Sequence, residues 1–212
     1  MYSLAINTCI EPYNIAILKN ENIVAEVNWY YSYSQKNDHY YAIDYLFKTY
    51  NLDFKKIMFA SIISGPGSFT GLRIGFSIIK TLGYLYNLPI SSINTFEVIS
   101  KSIDLKDYFI VVNAGLKEAF LYKNKKISLD KIENLHKYDE ILIFPEFNLY
   151  KKIERDKKIY LKIDAGDIGI IGLNKFKEGK FEDYKKISPL YLREPESIYK
   201  IYKEEEWWTK KI

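Results

Sequence analysis

The chain has 212 residues, a formal net charge of +4 at pH 7 and 48% hydrophobic residues. That length and apolar content support a buried core, as one larger domain or two small ones, and exclude a wholly disordered chain. No apolar run reaches the roughly 20 residues needed to span a bilayer, and the start Met1-Tyr2-Ser3-Leu4 lacks the charged opening of a secretory signal.

The first thirty residues read as three strands: Ser3 to Asn7, Asn14 to Leu18 after a turn at Glu11-Pro12-Tyr13, and Ile23 to Trp29 after a turn at Asn20-Glu21-Asn22. Residues 38–50 form a helix with Asp38 as its cap. A strand over 57–63 leads into the glycine-rich GPGSFTGLRIG of residues 65–75 and a second helix ending near Tyr86. A strand at 88–93 and a short helix from Thr95 close the first half. Three antiparallel strands followed by helix–strand alternation predict a mixed α/β sheet.

A second start follows at residues 108–113, with a turn at Ala114-Gly115-Leu116-Lys117 and a return strand over 119–122. It resembles the opening hairpin, so an internal duplication is expected, with subdomains 1–102 and 103–212, the second reduced. Strands near 141–144 and 159–163 and a helix over 167–177, stopped by Gly179, complete it. Then come Pro189-Leu190-Tyr191-Leu192-Arg193 and a polar tail whose Trp207 and Trp208 are expected to dock on a surface.

The glycine loop fits no standard catalytic spacing. Gly65 and Gly71 stand one position too far apart for a P-loop, and no lysine follows. The third glycine comes one residue late for a dinucleotide fingerprint, and Ser68 lacks the flanking glycines of a nucleophile elbow. What remains is a helix start at Gly65, Gly67, Ser68 and Thr70 able to hold an anion or to cap itself. Arg73 in the first turn opposes the helix dipole and points to a partner contact. Gly71, Gly75 and Gly83 along one helix suggest close approach of another backbone, at roughly 1 kcal/mol per glycine against alanine. The helix over 38–50 carries more aromatic surface than one core-facing stripe needs. Together these read as a protein–protein interface made by Tyr40, Tyr41, Asp44, Phe47, Phe69, Gly71, Leu72, Arg73, Gly75 and Ile79.

The lone Cys9 cannot form an internal disulfide, which suits a cytoplasmic setting, and it reads as a small hydrophobe. The mild positive charge permits nucleic-acid contact without requiring it. Lys123, Lys125, Lys126, Lys151, Lys152, Lys157 and Lys158 stand beside acids or apolar residues and read as a solvated surface.

GPGSFTGLRIG, with Ala5-Ile6-Asn7-Thr8, Ile93-Asn94-Thr95-Phe96, Asn113-Ala114-Gly115-Leu116-Lys117-Glu118 and Pro189-Leu190-Tyr191-Leu192-Arg193 in order, resembles the TsaB (YeaZ-type) family of tRNA threonylcarbamoyladenosine biosynthesis. The resemblance implies an actin/Hsp70-like (ribonuclease-H-like) fold of duplicated mixed sheets with flanking helices. It implies a non-catalytic, cytoplasmic partner that pairs with and activates a TsaD-type transferase, alongside a TsaE-type ATPase. A homodimer is expected when the chain is alone, with tRNA met only within the complex. ATP and metal are expected on partner subunits, with no cofactor of its own. His39 and His136 are too far apart in sequence for the paired metal ligands of the transferase. Asn7 and Asn113 stand where an actin-like ATPase or kinase, the alternative reading, places acids for Mg²⁺. On the interface reading, Gly75→Leu is expected to abolish pairing and leave the fold intact. A peptidase, or a tRNA-binding module acting alone, has less support: no nucleophile constellation and no arginine-rich stripe is present.

Overall fold

A computed structural model describes residues 1–30 and 38–193. The side chain of Asp38 and the tail carrying Trp207 and Trp208 lie outside the described residues. β1 (Tyr2–Asn7), β2 (Tyr13–Lys19) and β3 (Asn22–Trp29) form an antiparallel meander. α1 (Asp38–Thr49) leads to β4 (Ile57–Gly65), parallel to β1, and α2 (Phe69–Tyr86) leads to β5 (Ile90–Asn94), parallel to β4. The first sheet therefore runs β3-β2-β1-β4-β5. α3 (Thr95–Lys101) follows directly, capped by Asn94, whose side chain accepts from the Glu97 amide.

The second sheet repeats this plan. β6 (Tyr108–Gly115), β7 (Glu118–Lys123) and β8 (Lys126–Lys131) are antiparallel, and β9 (Ile141–Phe144) and β10 (Lys158–Tyr160) add in parallel, giving β8-β7-β6-β9-β10. β8 is absent from the sequence-based expectation although Ile127 and Leu129 alternate with polar neighbours; it lies at the sheet edge, where nearly every residue is exposed. α4 (Phe147–Lys152) is likewise unexpected, being six residues long.

Period-two alternation places the second sheet. Val111, Ala119, Leu121, Leu142 and Phe144 face a small cluster under α4, while Ile110, Val112, Phe120 and Ile143 join the main core. Phe96 of α3 stacks on Tyr122 of β7 at 4.6 Å, so α3 fills the space between the sheets. The division at 102/103 separates the sheets but not the packing. α5 (Ala165–Lys177) returns to lie across β1, β2, β4 and β5 of the first sheet. A Cβ on Gly172 would overlap Ser61 of β4, so glycine is what lets α5 lie this close.

On β4, Ser61 faces α5 and the next residue, Ile62, meets Gly75 of α2. α2 and α5 therefore cover opposite faces. The glycines of α2 correct an expectation: they serve this chain's own packing, because a Cβ on Gly71 would overlap the Thr8 carbonyl oxygen and one on Gly75 would overlap Thr8 Oγ1. Thr8 Oγ1 donates to the Gly71 carbonyl at 2.7 Å, fixing the approach.

Gly71→Ala is expected to cost roughly 3 kcal/mol by overpacking, read as a lower urea midpoint, whereas Ser77→Ala on the exposed side of the same helix should change it little.

Candidate functional site

The C-terminal ends of β1, β4, β6 and β9 converge where the two halves meet, the place at which parallel strands in α/β sheets leave room for a site. The glycine loop after β4 is tied down on several sides. Ser68 N donates to the Cys9 carbonyl at 2.8 Å, Thr95 Oγ1 donates to the Pro66 carbonyl at 2.6 Å, and Leu190 N donates to the Ser64 carbonyl at 2.7 Å. Ser68 Oγ accepts from the Gly71 amide at 3.2 Å and caps α2. Gly65 takes a φ of +109°, a backbone state that L side chains rarely adopt. Ser68 and Thr70 are exposed, while Gly65 is buried.

Beside this loop lies a cleft of about 580 Å³. Phe69, Leu72, Leu116, Phe120 and Tyr191 give it apolar walls, and Ser68, Asn113, Glu146 and Arg193 give it polar points. The segment 190–193 crosses its mouth. Leu190 holds the glycine loop, Tyr191 packs on Phe69 at 5.2 Å, and Arg193 pairs with Glu118 at the start of β7. A second cavity of about 490 Å³ adjoins it, sharing Ser68, Asn113 and Glu146. Glu146, between the two, accepts from the Asn113 amide at 2.6 Å. Burial, against that hydrogen bond and with the Glu11 charge adding, pushes its carboxyl up to about 7.

Asn7 is fully buried and spends its amide on its own turn. Oδ1 accepts from Cys9 N at 3.2 Å and Ile10 N at 3.1 Å, and Nδ2 donates to the carbonyls of Ile10 at 2.9 Å and Pro12 at 3.2 Å. Asn113 Oδ1 accepts from Gly115 N at 2.9 Å. Neither amide is shaped as a ligand for a hard cation. Among the described residues no three His, Cys, Asp or Glu side chains are grouped to hold a metal ion. Burial pushes the Cys9 thiol far above its usual range, which leaves no thiolate for nucleophilic chemistry.

The helical face divides the expected interface residues. Tyr40, Tyr41 and Tyr45 on α1 are 59%, 69% and 60% exposed. Asp44 is exposed beside Lys48 at 2.8 Å. Arg73 on α2 is exposed with its guanidinium 4.5 Å from the Phe69 ring centroid, and Tyr84 and Leu85 are also exposed. α1 and α2 are linked at their ends by the stack Phe47–Phe54–Tyr86, with centroids 3.7 and 5.7 Å apart. Phe47, Gly71, Leu72, Gly75 and Ile79 are corrected: all five are buried in this chain's own interior and present no surface. Gly75→Leu would strike Thr8 and disturb the fold itself. Tyr45 belongs to the aromatic surplus of the helix over 38–50 read from sequence, whereas Tyr84, on the same face of α2 as Arg73, was not singled out. Glu146 was missed too. The duplication could have found it, since Pro145-Glu146 follows β9 as Pro66 and Ser68 follow β4.

Among the described residues no helix is long and apolar enough to cross a membrane. The family model described as TsaD, tRNA N6-adenosine threonylcarbamoyltransferase, matches residues 39–160. The tRNA threonylcarbamoyladenosine biosynthesis protein TsaB of Bacillus subtilis is 34% identical over 106 residues, 47% of this chain. The match spans 44% of that relative's length. YeaZ from Pseudomonas aeruginosa superposes with a TM-score of 0.70 at 13% identity, covering 90% of this chain and 99% of that one. The activator of 2-hydroxyisocaproyl-CoA dehydratase from Clostridium difficile, solved with ADPNP, gives 0.52 at 11% identity, covering 90% and 100%. These structures show the fold: duplicated mixed sheets of the actin/Hsp70-like class.

Asn7→Asp is expected to lower stability by roughly 3 kcal/mol at pH 7, because a carboxylate would face two carbonyl oxygens; the loss should shrink at low pH in denaturant titrations. For Glu146 the folded value lies above the ordinary 4.5, so the native state holds a proton that the unfolded chain releases. Its contribution to stability is therefore lost as pH rises from about 4.5 to about 7 and is level beyond. Glu146→Gln should match the parent at pH 4.5 and exceed it above pH 7, read as the gap between two melting curves.

Proposed function

The chain belongs to the TsaB (YeaZ-type) family, and from that premise we propose that it is an accessory subunit in forming N6-threonylcarbamoyladenosine in tRNA, pairing with a TsaD-type transferase. The observation that carries the pairing is the exposed face of α1 and α2. Tyr40, Tyr41 and Tyr45 on α1 and Tyr84 and Leu85 on α2 each expose more than half their surface, and Arg73 on α2 is exposed as well. Aromatic residues and arginine are what protein interfaces concentrate at their centres, and a monomer does not otherwise gain by presenting them together. The same face serves a homodimer when the transferase is absent. The reading includes a cytoplasmic location, a TsaE-type ATPase in the assembly, tRNA met within the complex, and ATP and metal carried by partner subunits.

The absence of catalysis by this chain belongs to the proposal. Its support is chemical: Asn7 is committed to its own turn, and Cys9 is held as a thiol. One observation favours a different reading, an actin-like ATPase, namely the cleft of about 580 Å³ beside the glycine loop. Steady ATP turnover by the isolated chain would favour it.

Light scattering of the chain alone and with its TsaD counterpart, with and without ATP, tests the pairing. A one-to-one complex that displaces self-association is expected. Tyr41→Asp should weaken it by roughly 30-fold, about 2 kcal/mol, with the circular dichroism unchanged because Tyr41 is exposed. Undiminished pairing in that variant would remove α1 from the interface.

A further inference from the structure

Each sheet ends in two edge strands, and among the described residues three of the four edges are guarded. β5 is bridged by Glu182, whose N–H donates to the Ile90 carbonyl at 2.8 Å while the Ile90 N–H donates back at 3.0 Å. β10 is three residues long, and β3 carries an extra residue, Val24, that breaks its register with β2. β8 has neither a proline nor a register shift, and its Ile127 and Leu129 are 43% and 47% exposed. Those two side chains share a sheet face with Tyr122 and Phe120, their partners on β7.

The phase of the β7–β8 ladder decides which backbone groups face outward. Ile132 N donates to the Lys117 carbonyl at 2.8 Å, in line with the Glu118–Lys131 register. Bonded pairs recur at every second residue of an antiparallel ladder, so Lys126, Ser128 and Asp130 bond to β7. The amides and carbonyls of Ile127 and Leu129 point away from it, and among the described residues no hydrogen bond engages them.

The residue order of the strand indicates what fits this edge. Taken about Ser128, β8 is self-complementary: Ile127 mirrors Leu129, and Lys126 mirrors Asp130. Asn134 Nδ2 and the Tyr138 hydroxyl each donate to Asp130 at 2.7 Å and hold its carboxyl below the usual range, so it stays negative. Lys126 is exposed, and among the described residues it has no ion pair. An antiparallel copy centred on Ser128 sets each Lys126 opposite an Asp130 and each Ile127 opposite a Leu129. The same register joins the outward amides and carbonyls of Ile127 and Leu129. Centring the pair one residue either way separates Lys126 from Asp130. The left-handed turn at Asn124 and Lys125 and the 3-10 turn from Ile132 bound the contact on both sides.

We propose that β8 is a self-association edge, on which a second copy of this chain adds its own β8 antiparallel about a two-fold axis at Ser128, joining two sheets into one. So short a contact belongs to the weak, concentration-dependent class. It uses the second sheet, whereas α1 and α2 pack on the first, so the helical face stays free for the transferase.

Cysteine cross-linking of the full chain with diamide tests this, the native Cys9 being 3% exposed and out of reach. In the proposed register Ser128 faces its own copy as a non-hydrogen-bonded pair, with Cα atoms about 4.5 Å apart, inside the range a disulfide spans. Ile127 and Leu129 each face their own copy only on a diagonal of roughly 7–8 Å. Ser128→Cys is therefore expected to form a disulfide-linked dimer about tenfold faster than Ile127→Cys or Leu129→Cys. Mixing the last two should give the mixed dimer faster than either gives its own. Adding Lys126→Glu to Ser128→Cys should slow the linkage roughly threefold by placing like charges opposite. All four positions are exposed, so circular dichroism should not change. Adding Tyr41→Asp, or the transferase, should leave the linkage as it is. Equal rates at 127, 128 and 129, or no linked dimer, would overturn the inference. Loss with Tyr41→Asp would make the linkage a by-product of the helical face, and loss with the transferase would give the edge to that partner. Either loss overturns pairing of β8 with a second copy.

Discussion

The close approach of two backbones, Thr8–Cys9 after β1 and Gly67–Gly71 after β4, sets the rest of the site. Ser68 N reaches the Cys9 carbonyl and Thr8 Oγ1 reaches the Gly71 carbonyl, contacts that a side chain on Gly71 would prevent. This junction fixes where α2 begins and, through Phe69, where Tyr191 and the crossing segment lie. The exposed side of α2 and the floor of the cleft are consequences of one steric constraint. The loop's glycines let a helix start against a strand end.

Much of this architecture could be read in the sequence because its strands alternate and its helices are bounded by identifiable caps. β4, α2 and α3 follow from Ile57–Gly65, the Ser68 cap and the Asn94 cap. The duplication was visible in the paired hairpins, and its full extent appears in the identical strand order of the two sheets. β8 and α4 were missed because both are short: Ile127 and Leu129 are the two apolar residues of a six-residue edge strand, and a six-residue helix shows too little period. The site was less legible than the fold. A stripe of small residues has the same signature whether the neighbour is another protein or the chain's own β1, so Gly71 and Gly75 could not be assigned by spacing. The tyrosines were easier, because helix faces of opposite character separate Tyr41 from Leu46.

Asn7 and Glu146 show how polar groups near the junction of the two halves are held. Asn7 supplies two donors and two acceptances to its own turn, a pattern that a carboxylate cannot reproduce. The amide is therefore a structural part of the hairpin. Glu146, in the corresponding region of the second half, remains an acid but one close to neutrality, its charge opposed by burial and by Glu11. The cleft accordingly presents hydrogen-bonding groups in place of a fixed pair of charges.

The return of α5 to the first sheet has a consequence for the order in which the chain is made. β1 through β5 leave the ribosome early, yet one face of their sheet stays uncovered until residues 165–177 follow. At roughly 5–20 residues per second, the interval between β5 and α5 lasts on the order of 4–15 s. During that time the apolar side of β1, β2 and β4 is open to water and to other nascent chains. The second half, smaller and built around its own cluster, stands between a sheet and its cover. For this protein the earliest element synthesised is among the last to be finished, and chaperone demand in the cell should fall on the first sheet rather than on the reduced one.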